Sequence, residues 1–375
     1  IGAGPAGLMA AEVLAEAGVA VTVYDRMPSA GRKLLLAGRG GLNLTHSEGL
    51  DRLLLRYGPA RPALEPAIRS FDPARLVAWA DGLGAETFVG SSGRVFPKQL
   101  KASPLLRAWL VRLNRLGVRF ALRHRWTGWS DDGTLRFDAE PGGLAASPVL
   151  GRPDAVVLAL GGASWPRLGS DGGWVRILES AGVEVRALRP ANCGCCIAWS
   201  EHVRARFAGA PLKRIALRIA ETTVRGEAVV TRDGLEGGAV YALSAALREA
   251  IDRHGRAELV LDLRPDLAQD DLARRLSAPR GKQSTANALR KQAGLAPAAI
   301  ALLRETGDAT LPREPEALAR RIKQLALTVT GLAGIERAIS SAGGIAFSAL
   351  DADFMLTARP GVFVAGEMLD WEAPT

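Results

Sequence analysis

The opening residues of the chain predict a helix followed by a buried strand. Good helix formers run from residue 6 to residue 17 and end before Gly18, a residue type that commonly follows the last turn of a helix. Residues 19–24 are an apolar run of strand length, which stops at Asp25. This order is half of a β-α-β unit with an acidic residue at the tip of its strand.

Two later apolar runs also predict buried strands that end in glycine turns. They cover residues 155–160 and 362–365. The residues that follow them are Gly161 and Gly162 after the first run, and Gly366, Glu367 and Asp370 after the second. We expect the carboxyl ends of these strands to gather at one edge of a sheet, where open α/β folds bind ligands.

Helices, strands and loops fill the rest of the first half. Apolar spacing predicts helices over residues 71–83 and 103–116, and alternation predicts a strand over residues 118–129. Residues 27–44 and 140–154 are rich in glycine, and both segments are expected to be loops.

The middle of the chain has a different pattern. From residue 188 onward, short alternating strands such as 215–220 and 258–263 are typical of a small antiparallel barrel. Residues 265–325 then predict several short helices joined by loops. The sequence of this segment contains no recognisable set of catalytic residues. It is therefore expected either to cover the substrate or to serve packing or oligomerisation.

Composition and charge indicate a globular protein and argue against several other classes of protein. With 48% hydrophobic and 23% charged residues over 375 positions, the chain is an ordinary globular protein long enough for two or three domains. Lys and Arg total 48 against 39 Asp and Glu, but the arginines are dispersed along the chain, which argues against a nucleic-acid surface. No apolar run is long enough to cross a bilayer, so no membrane partner is expected.

The cysteines form one cluster, Cys193, Cys195 and Cys196. Because no other thiol could pair with them, free thiols in a reducing compartment are expected, and with them a cytoplasmic protein. A strained disulfide between the adjacent Cys195 and Cys196 is the alternative. The histidines are distant in sequence from this cluster and no metal-ligand spacing is present, so no metal site is predicted.

The first residues carry a Gly-x-Gly-x-x-Gly pattern made by Gly2, Gly4 and Gly7. In a dinucleotide-binding turn the first glycine permits the tight turn, the second admits a pyrophosphate, and the third lets the helix pack on the strand. Pro5 and Ala6 then begin the helix whose N-terminus faces the phosphates. A purely structural glycine turn is the alternative.

The acid and the loop that follow favour a flavin dinucleotide. Asp25 is placed to accept hydrogen bonds from the adenosine ribose. Further β-α-β units would be expected of a nicotinamide dehydrogenase, whereas residues 27–44 form a loop in which Arg32 and Lys33 could neutralise a pyrophosphate. Glycines in the same loop expose backbone N–H groups able to face a flavin edge. A flexible surface loop is the alternative for this segment.

The sequence resembles the BaiN-like bacterial flavoproteins, a family whose members carry labels such as aminoacetone-oxidase-like and bile-acid reductase. The segments that carry the resemblance are Gly31-Arg32-Lys33 with Asn43-Leu44-Thr45, Gly93-Arg94-Val95-Phe96-Pro97, Gly161-Gly162-Ala163-Ser164-Trp165-Pro166 with Gly169-Ser170-Asp171-Gly172, Thr231-Arg232-Asp233-Gly234-Leu235, Gly343-Gly344-Ile345, and Gly366-Glu367-Met368-Leu369-Asp370. Together they span nearly the full length of the chain.

The resemblance implies an α/β fold with a Rossmann-like FAD-binding domain and an inserted domain that has a β-barrel part and a helical part. On this basis residues 1–188 and 341–375 form the FAD-binding domain, which we expect to be truncated at both ends. Residues 189–340 form the inserted domain, with the barrel part over 189–264 and the helical part over 265–325.

The cofactor-binding residues expected from the motifs and the resemblance fall into five segments. They are Gly2, Gly4, Pro5, Ala6 and Gly7; Asp25, Arg32, Lys33 and Asn43; Trp126, on a strand that would contact adenine; Gly161 and Gly162; and Gly366, Glu367 and Asp370, the last two being acids available to ribityl hydroxyls. One departure stands out, because much of the family has a Cys where this chain has Leu42, so thiol chemistry beside the flavin is not expected.

The function predicted is that of an FAD-dependent oxidoreductase, which moves hydride through the flavin N5 atom to or from a small organic substrate. NADH or NADPH is the expected electron donor. The alternatives are a flavoprotein that modifies RNA and a flavin-binding protein without turnover. The sequence leaves the substrate, the direction of electron flow, the catalytic residues and the oligomeric state open.

Overall fold

The computed structural model describes residues 1–37, 41–139, 153–279, 283–305 and 310–374. Gly38, Arg39 and Gly40 of the glycine-rich loop, and most of the loop predicted over residues 140–154, lie outside the described residues.

The helices and strands are numbered here in chain order. The α-helices are α1 Pro5–Glu16, α2 Arg32–Ala37, α3 Leu50–Leu55, α4 Arg61–Ser70, α5 Pro73–Asp81, α6 Ala102–Arg115, α7 Val175–Ser180, α8 Glu201–Arg206, α9 Gly238–Tyr241, α10 Ser244–His254, α11 Gln269–Leu276, α12 Thr285–Gln292, α13 Pro297–Leu302 and α14 Pro315–Lys323. The strands are β1 Thr22–Asp25, β2 Thr45–His46, β3 Thr87–Val89, β4 Arg94–Pro97, β5 Arg119–Leu122, β6 His124–Trp129, β7 Leu135–Ala139, β8 Val156–Leu158, β9 Val185–Ala191, β10 Cys195–Ile197, β11 Pro211–Ile219, β12 Thr222–Val230, β13 Gly234–Glu236, β14 Ala257–Asp262, β15 Leu325–Leu332, β16 Ser340–Ile345 and β17 Val362–Val364.

The chain divides into two compact units. Residues 1–189 and 340–374 form the first, which we call the Rossmann unit. Residues 190–339 form the second, which we call the barrel unit.

Parallel strands form the centre of the Rossmann unit. Strand β1 pairs with β5, and β17 pairs with β8, in both cases in parallel. Ile1 and Gly2 lie between the two pairs, because Gly2 N–H donates to the Tyr24 carbonyl on one side while Ile1 carbonyl accepts from Ala159 N–H on the other. The resulting order is β5, β1, Ile1–Gly2, β8, β17. The carboxyl ends of β1, β8 and β17 therefore share one edge.

Helix α1 packs its apolar side against α6. Leu8 and Ala11 on α1 share a buried cluster with Leu106, Trp109 and Leu113 on α6. The cluster fixes α1 against the sheet through apolar burial, which favours the folded state by about 25 cal/mol per Å² of apolar surface removed from water. The position of the N-terminus of α1 follows from this packing.

Three local expectations were wrong. Residues 32–37 form helix α2 inside the predicted loop, because Lys, Leu and Ala are good helix formers and Gly31, at φ +68°, begins the turn that precedes them. The strand predicted over residues 118–129 is divided into β5 and β6 at Arg123, whose φ is +61°. The helix predicted over residues 71–83 is α5, which is shorter at both ends, and α4 precedes it.

The barrel unit contains a closed antiparallel barrel with the strand order β10, β13, β12, β11, β14, β15. Strand β15 pairs with both β14 and β10 and so completes the closure. It follows helices α11–α14 in sequence, so the barrel takes its last strand from beyond the segment 189–264 that was expected to hold it. Among the described residues, its buried core is formed by side chains of this unit, such as Leu217, Leu259 and Val329.

The described residues include no helix that combines the length and the apolar character needed to span a membrane.

Candidate functional site

The three glycines of the opening motif meet different surroundings. A Cβ atom on Gly2, whose φ is +106°, would lie 2.2 Å from the carbonyl oxygen of Ala159. One on Gly7 would lie 1.9 Å from the carbonyl oxygen of Gly2. One on Gly4 would have no atom within 4 Å among the described residues, apart from its chain neighbours. Gly2 and Gly7 therefore let the backbone segments approach each other, whereas Gly4 faces open space.

Helix α1 begins at this open space. Gly4 is its N-cap residue, Pro5 is its first residue, and its first turn contains no acidic side chain. Because Leu8 N–H bonds to the Gly4 carbonyl, the N–H groups of Ala6 and Gly7 are those without an acceptor inside the helix. Two donors at the positive end of a twelve-residue helix make this turn suitable for an anion.

Asp25 lies at the end of β1, beside the same turn. Its Oδ2 accepts a hydrogen bond from Ala3 N–H at 2.6 Å, and its Oδ1 accepts one from Met27 N–H at 2.7 Å. Burial raises the pKa of the Asp25 carboxyl, and the two backbone N–H groups oppose part of that rise. An ionised carboxylate has about four acceptor positions, so it retains capacity for hydroxyl donors.

The glycine turns that follow β8 and β17 lie against this region. A Cβ on Gly366 would be 2.7 Å from the Cβ of Ala6, so this turn contacts the first turn of α1. A Cβ on Gly161 would be 3.9 Å from a carboxylate oxygen of Glu367, which connects the two turns to each other. The structure thus brings together the three segments that the sequence indicated.

Lys33 and Glu367 form an ion pair between these segments. Nζ of Lys33 lies 2.7 Å from Oε2 of Glu367 and also donates to Oγ of Ser164 at 2.6 Å. The backbone N–H of Ser341 donates to the other carboxylate oxygen at 3.2 Å. The role of Lys33 in neutralising a pyrophosphate stays a prediction, and its contacts among the described residues are with Glu367 and Ser164.

Serines complete the lining, and sequence reasoning did not select them as site residues. Ser164 and Ser341 have the partners given above, and Oγ of Ser341 also accepts from Ala163 N–H at 2.8 Å. Ser170 is 6% exposed, its hydroxyl has no hydrogen-bond partner among the described residues, and it lies beside Gly161. Ser164 and Ser170 stand in motif segments and were identifiable in principle, whereas Ser341 has no sequence signal.

For four of the expected site residues, the described part of the chain shows other surroundings. Arg32 donates to Ser29 at 3.3 Å, and Asn43 is exposed in the segment beside β4. Trp126 is buried on β6, with its indole N–H unpaired. The backbone of Asp370 bonds to Ile345, and burial raises the pKa of its carboxyl. Their roles toward a cofactor stay predictions.

The residues present fit a dinucleotide. The open space at Gly4, the free N–H groups of α1, the remaining acceptor capacity of Asp25 and the unpaired hydroxyl of Ser170 lie along the same sheet edge. They match the needs of a pyrophosphate, a ribose and further hydroxyl or ring groups. Helix α1 has no acidic side chain there that would repel the phosphates.

The barrel unit contains a cluster of three thiols. Cys193, Cys195 and Cys196 are free thiols, and burial raises the pKa of Cys195 to about 12. A thiol with that pKa stays protonated and unreactive at neutral pH. Within the described ranges, no group of three or more His, Cys, Asp or Glu side chains is arranged to hold a metal ion.

Comparison with known proteins finds two informative relatives in sequence. The 3-dehydro-bile acid delta(4,6)-reductase of Clostridium scindens is 24% identical over 390 residues, which covers 99% of this chain and 92% of that protein. The ribosomal RNA dihydrouridine synthase of Haemophilus influenzae is 24% identical over 247 residues, which covers 65% of this chain and 60% of that protein.

Among solved structures, the chain is similar to a 3-ketosteroid-delta4-(5alpha)-dehydrogenase from Rhodococcus jostii in complex with 4-androstene-3,17-dione. The sequence identity is 16% and the TM-score is 0.47, over 98% of this chain and 89% of that one.

The family model described as the HI0933-like protein Rossmann domain matches residues 1–375. That match, with the reductase relative, confirms the resemblance to BaiN-like flavoproteins and the α/β fold class predicted from the sequence. The chain belongs to the HI0933-like family and is an FAD-dependent oxidoreductase of that family.

Proposed function

We propose that the protein binds FAD along the sheet edge formed by β1, β8 and β17 and uses it to transfer hydride between NADH or NADPH and a small organic substrate. The observation that carries the proposal is the convergence of three distant glycine turns on the open N-terminus of α1. Gly366 contacts Ala6, and Gly161 lies near Glu367, although more than 150 positions separate the members of each pair.

Named residues would hold separate parts of the cofactor. The N–H groups of Ala6 and Gly7 would bind the pyrophosphate, with Gly4 leaving room for it. The Asp25 carboxylate would accept the adenosine ribose hydroxyls. Ser170 would supply a hydroxyl that has no hydrogen-bond partner among the described residues. FAD, when bound, supplies hydride transfer at the flavin N5 atom, while these residues bind, orient and shield it.

For the substrate we propose a small organic molecule with a carbon–carbon double bond conjugated to a ketone. The support is the similarity to a 3-dehydro-bile acid delta(4,6)-reductase over nearly the whole chain. The relation is distant enough, at 24% identity, that the carbon skeleton of the substrate can differ between the two proteins.

A visible absorption spectrum and cofactor extraction from the purified protein test the proposal. We expect bound FAD, and we expect its oxidised absorption to bleach when NADH or NADPH is added without oxygen. Addition of a conjugated enone should then restore the oxidised spectrum. Purified protein that neither contains nor takes up FAD would contradict the proposed function.

RNA modification is the second candidate, because one relative is a ribosomal RNA dihydrouridine synthase. The net charge of +9 is compatible with it. The two candidates differ in a binding measurement: an RNA-modifying protein should bind ribosomal RNA fragments, with affinity that falls steeply as salt rises. Absence of binding at low salt would remove this candidate and leave the first one intact.

A further inference from the structure

The ion pair between Lys33 and Glu367 joins segments that are far apart in sequence. The two residues are 334 positions apart, and Lys33 and Ser164 are 131 positions apart. The Ser341 N–H binds the same carboxylate. Helix α2, the turn after β8, strand β16 and the turn after β17 therefore meet at two charged groups.

The pair also touches the glycine turns that line the site. A Cβ on Gly162 would lie 2.3 Å from Oγ of Ser341 and 3.8 Å from the carboxylate carbon of Glu367. On the other side, the turn containing Glu367 contacts Ala6 through Gly366. A change in the position of Glu367 would consequently move the turn after β8 relative to the first turn of α1.

The two charges depend on each other. The Lys33 side chain is 26% exposed and the Glu367 side chain is 21% exposed, so both are largely removed from water. Removing one partner leaves the other charge largely buried without compensation, which is far more unfavourable than removing both.

We propose that Glu367 is a positioning residue, which acts through Lys33 to hold the walls of the FAD site in place before FAD binds. The two side chains would then affect FAD binding as a unit, rather than as separate ligands of a pyrophosphate and of ribityl hydroxyls. This inference rests on the proposed function, because FAD is the ligand whose binding it concerns.

A double-mutant cycle on FAD affinity tests the inference. The variants are Lys33→Met, Glu367→Gln and the double variant, each freed of FAD and titrated with FAD while the visible flavin spectrum is followed. We expect each single change to weaken FAD binding by about tenfold or more, and the double variant to bind FAD more tightly than either single variant. Such rescue shows that the effect comes from an uncompensated charge.

Thermal melting of the FAD-free variants provides a readout without cofactor. Both single variants should melt below the unmodified protein, and the double variant should recover part of that loss. The surface pair Lys98–Glu86, with side chains 71% and 68% exposed, gives a matched control. The cycle of Lys98→Met and Glu86→Gln should leave FAD affinity unchanged and show little coupling.

Several results would overturn the inference. A double variant weakened by about a hundredfold, the product of two tenfold effects, would mean that each residue contacts FAD independently. FAD-free single variants that melt like the unmodified protein would mean that the pair does not hold the site. If instead the unmodified protein takes up no FAD while the melting cycle still shows coupling, the proposed function fails and the structural role of the pair stands.

Discussion

At the scale of single residues, Gly4 differs from the other glycines of its motif because its side-chain position is open. We expect Gly4→Val to leave the fold intact and to abolish FAD binding, because the new side chain would occupy the space proposed for the pyrophosphate. Its φ of −80° is compatible with any residue, so no backbone strain is introduced. The measurements are melting temperature and FAD content.

Gly49→Val is the matched control for this prediction. Gly49 is also a helix N-cap residue with negative φ, at −59°, and with no atom within 4 Å of its Cβ position. That variant should keep FAD. Gly7→Val should instead destabilise the protein, since its Cβ would overlap the Gly2 carbonyl. Stoichiometric FAD in the Gly4 variant would contradict the assignment of the pyrophosphate site.

Asp25 gives a prediction for pH dependence. Burial raises the pKa of its carboxyl above the ordinary value of 3.8, so the folded protein holds the proton more readily than the unfolded chain. Its contribution to the stability of the FAD-free protein is therefore fully present below pH 3.8 and is lost as the pH rises through the folded pKa. FAD affinity has the opposite pH dependence and rises with pH, because the ribose hydroxyls donate to the ionised Asp25 carboxylate.

We therefore expect FAD affinity to fall as the pH is lowered toward the raised pKa of Asp25, at higher pH than for an exposed aspartate. Asp25→Ala should weaken FAD binding at neutral pH by about 5- to 150-fold, equivalent to about 1–3 kcal/mol of lost hydrogen bonding. It should also remove this part of the pH dependence. Titrations of both proteins with FAD from pH 5 to 8 measure this. If the Asp25→Ala variant keeps the pH dependence of the unmodified protein, another group is responsible for it.

The sequence indicated which glycine segments meet at this edge of the sheet, but it did not indicate the partners of their side chains. The glycines are identifiable because backbone geometry at a dinucleotide turn demands them at fixed spacing. The contact of Lys33 with Glu367, 334 positions away, was not anticipated, and the predicted role of Lys33 toward a pyrophosphate stays a prediction. Such a long-range pairing depends on the folded sheet, and no local pattern encodes it. Ser341 was missed for the same reason.

At the scale of secondary-structure elements, Glu12 is a polar residue on the buried side of α1. Its carboxylate accepts from the indole N–H groups of Trp79 and Trp109, and Nη1 of Arg112 lies 2.8 Å from Oε1. Three partners from α5 and α6 thus hold the helix that presents its N-terminus to the site. Apolar spacing alone does not anticipate a carboxylate at this position.

We expect Glu12→Ala to lower the free energy of unfolding by about 3–5 kcal/mol, because two indole N–H groups and Nη1 of the partly exposed Arg112 lose a charged acceptor. Glu16→Ala, an exposed change on the same helix, should have an effect within about 0.5 kcal/mol. Urea denaturation followed by tryptophan fluorescence measures both. Equal effects of the two substitutions would show that the Glu12 contacts contribute little.

Helices and strands with a long apolar pattern were predicted from the sequence, whereas elements whose pattern covers only a few residues were missed. Helix α1 and strands β8 and β17 were expected close to their observed positions. Helix α2 has six residues in a glycine-rich surrounding, which is too short for its apolar spacing to be distinguished from a loop. The break between β5 and β6 depends on the left-handed conformation of Arg123, which no residue preference favours.

At the scale of the whole molecule, the barrel unit has the properties of an insertion that can fold alone. Its core residues, as far as the structure describes the chain, lie between Cys195 and Val329, with partly buried neighbours from the same unit. The ends of the segment meet, since Ile339 N–H donates to the Asn192 carbonyl at 3.3 Å. The closed barrel leaves no unpaired edge strand within it, which protects an isolated domain from aggregation.

We therefore expect residues 190–339, produced alone, to give a monomeric protein that melts cooperatively and binds no FAD. The complementary protein, in which a short glycine–serine linker joins residue 189 to residue 340, should retain FAD, because every residue proposed to hold it belongs to the Rossmann unit. Circular dichroism melting and FAD content test the two halves separately. An isolated barrel segment without a cooperative transition would show that its core requires the Rossmann unit, while loss of FAD from the linked protein would mean that the barrel unit supplies part of the binding energy.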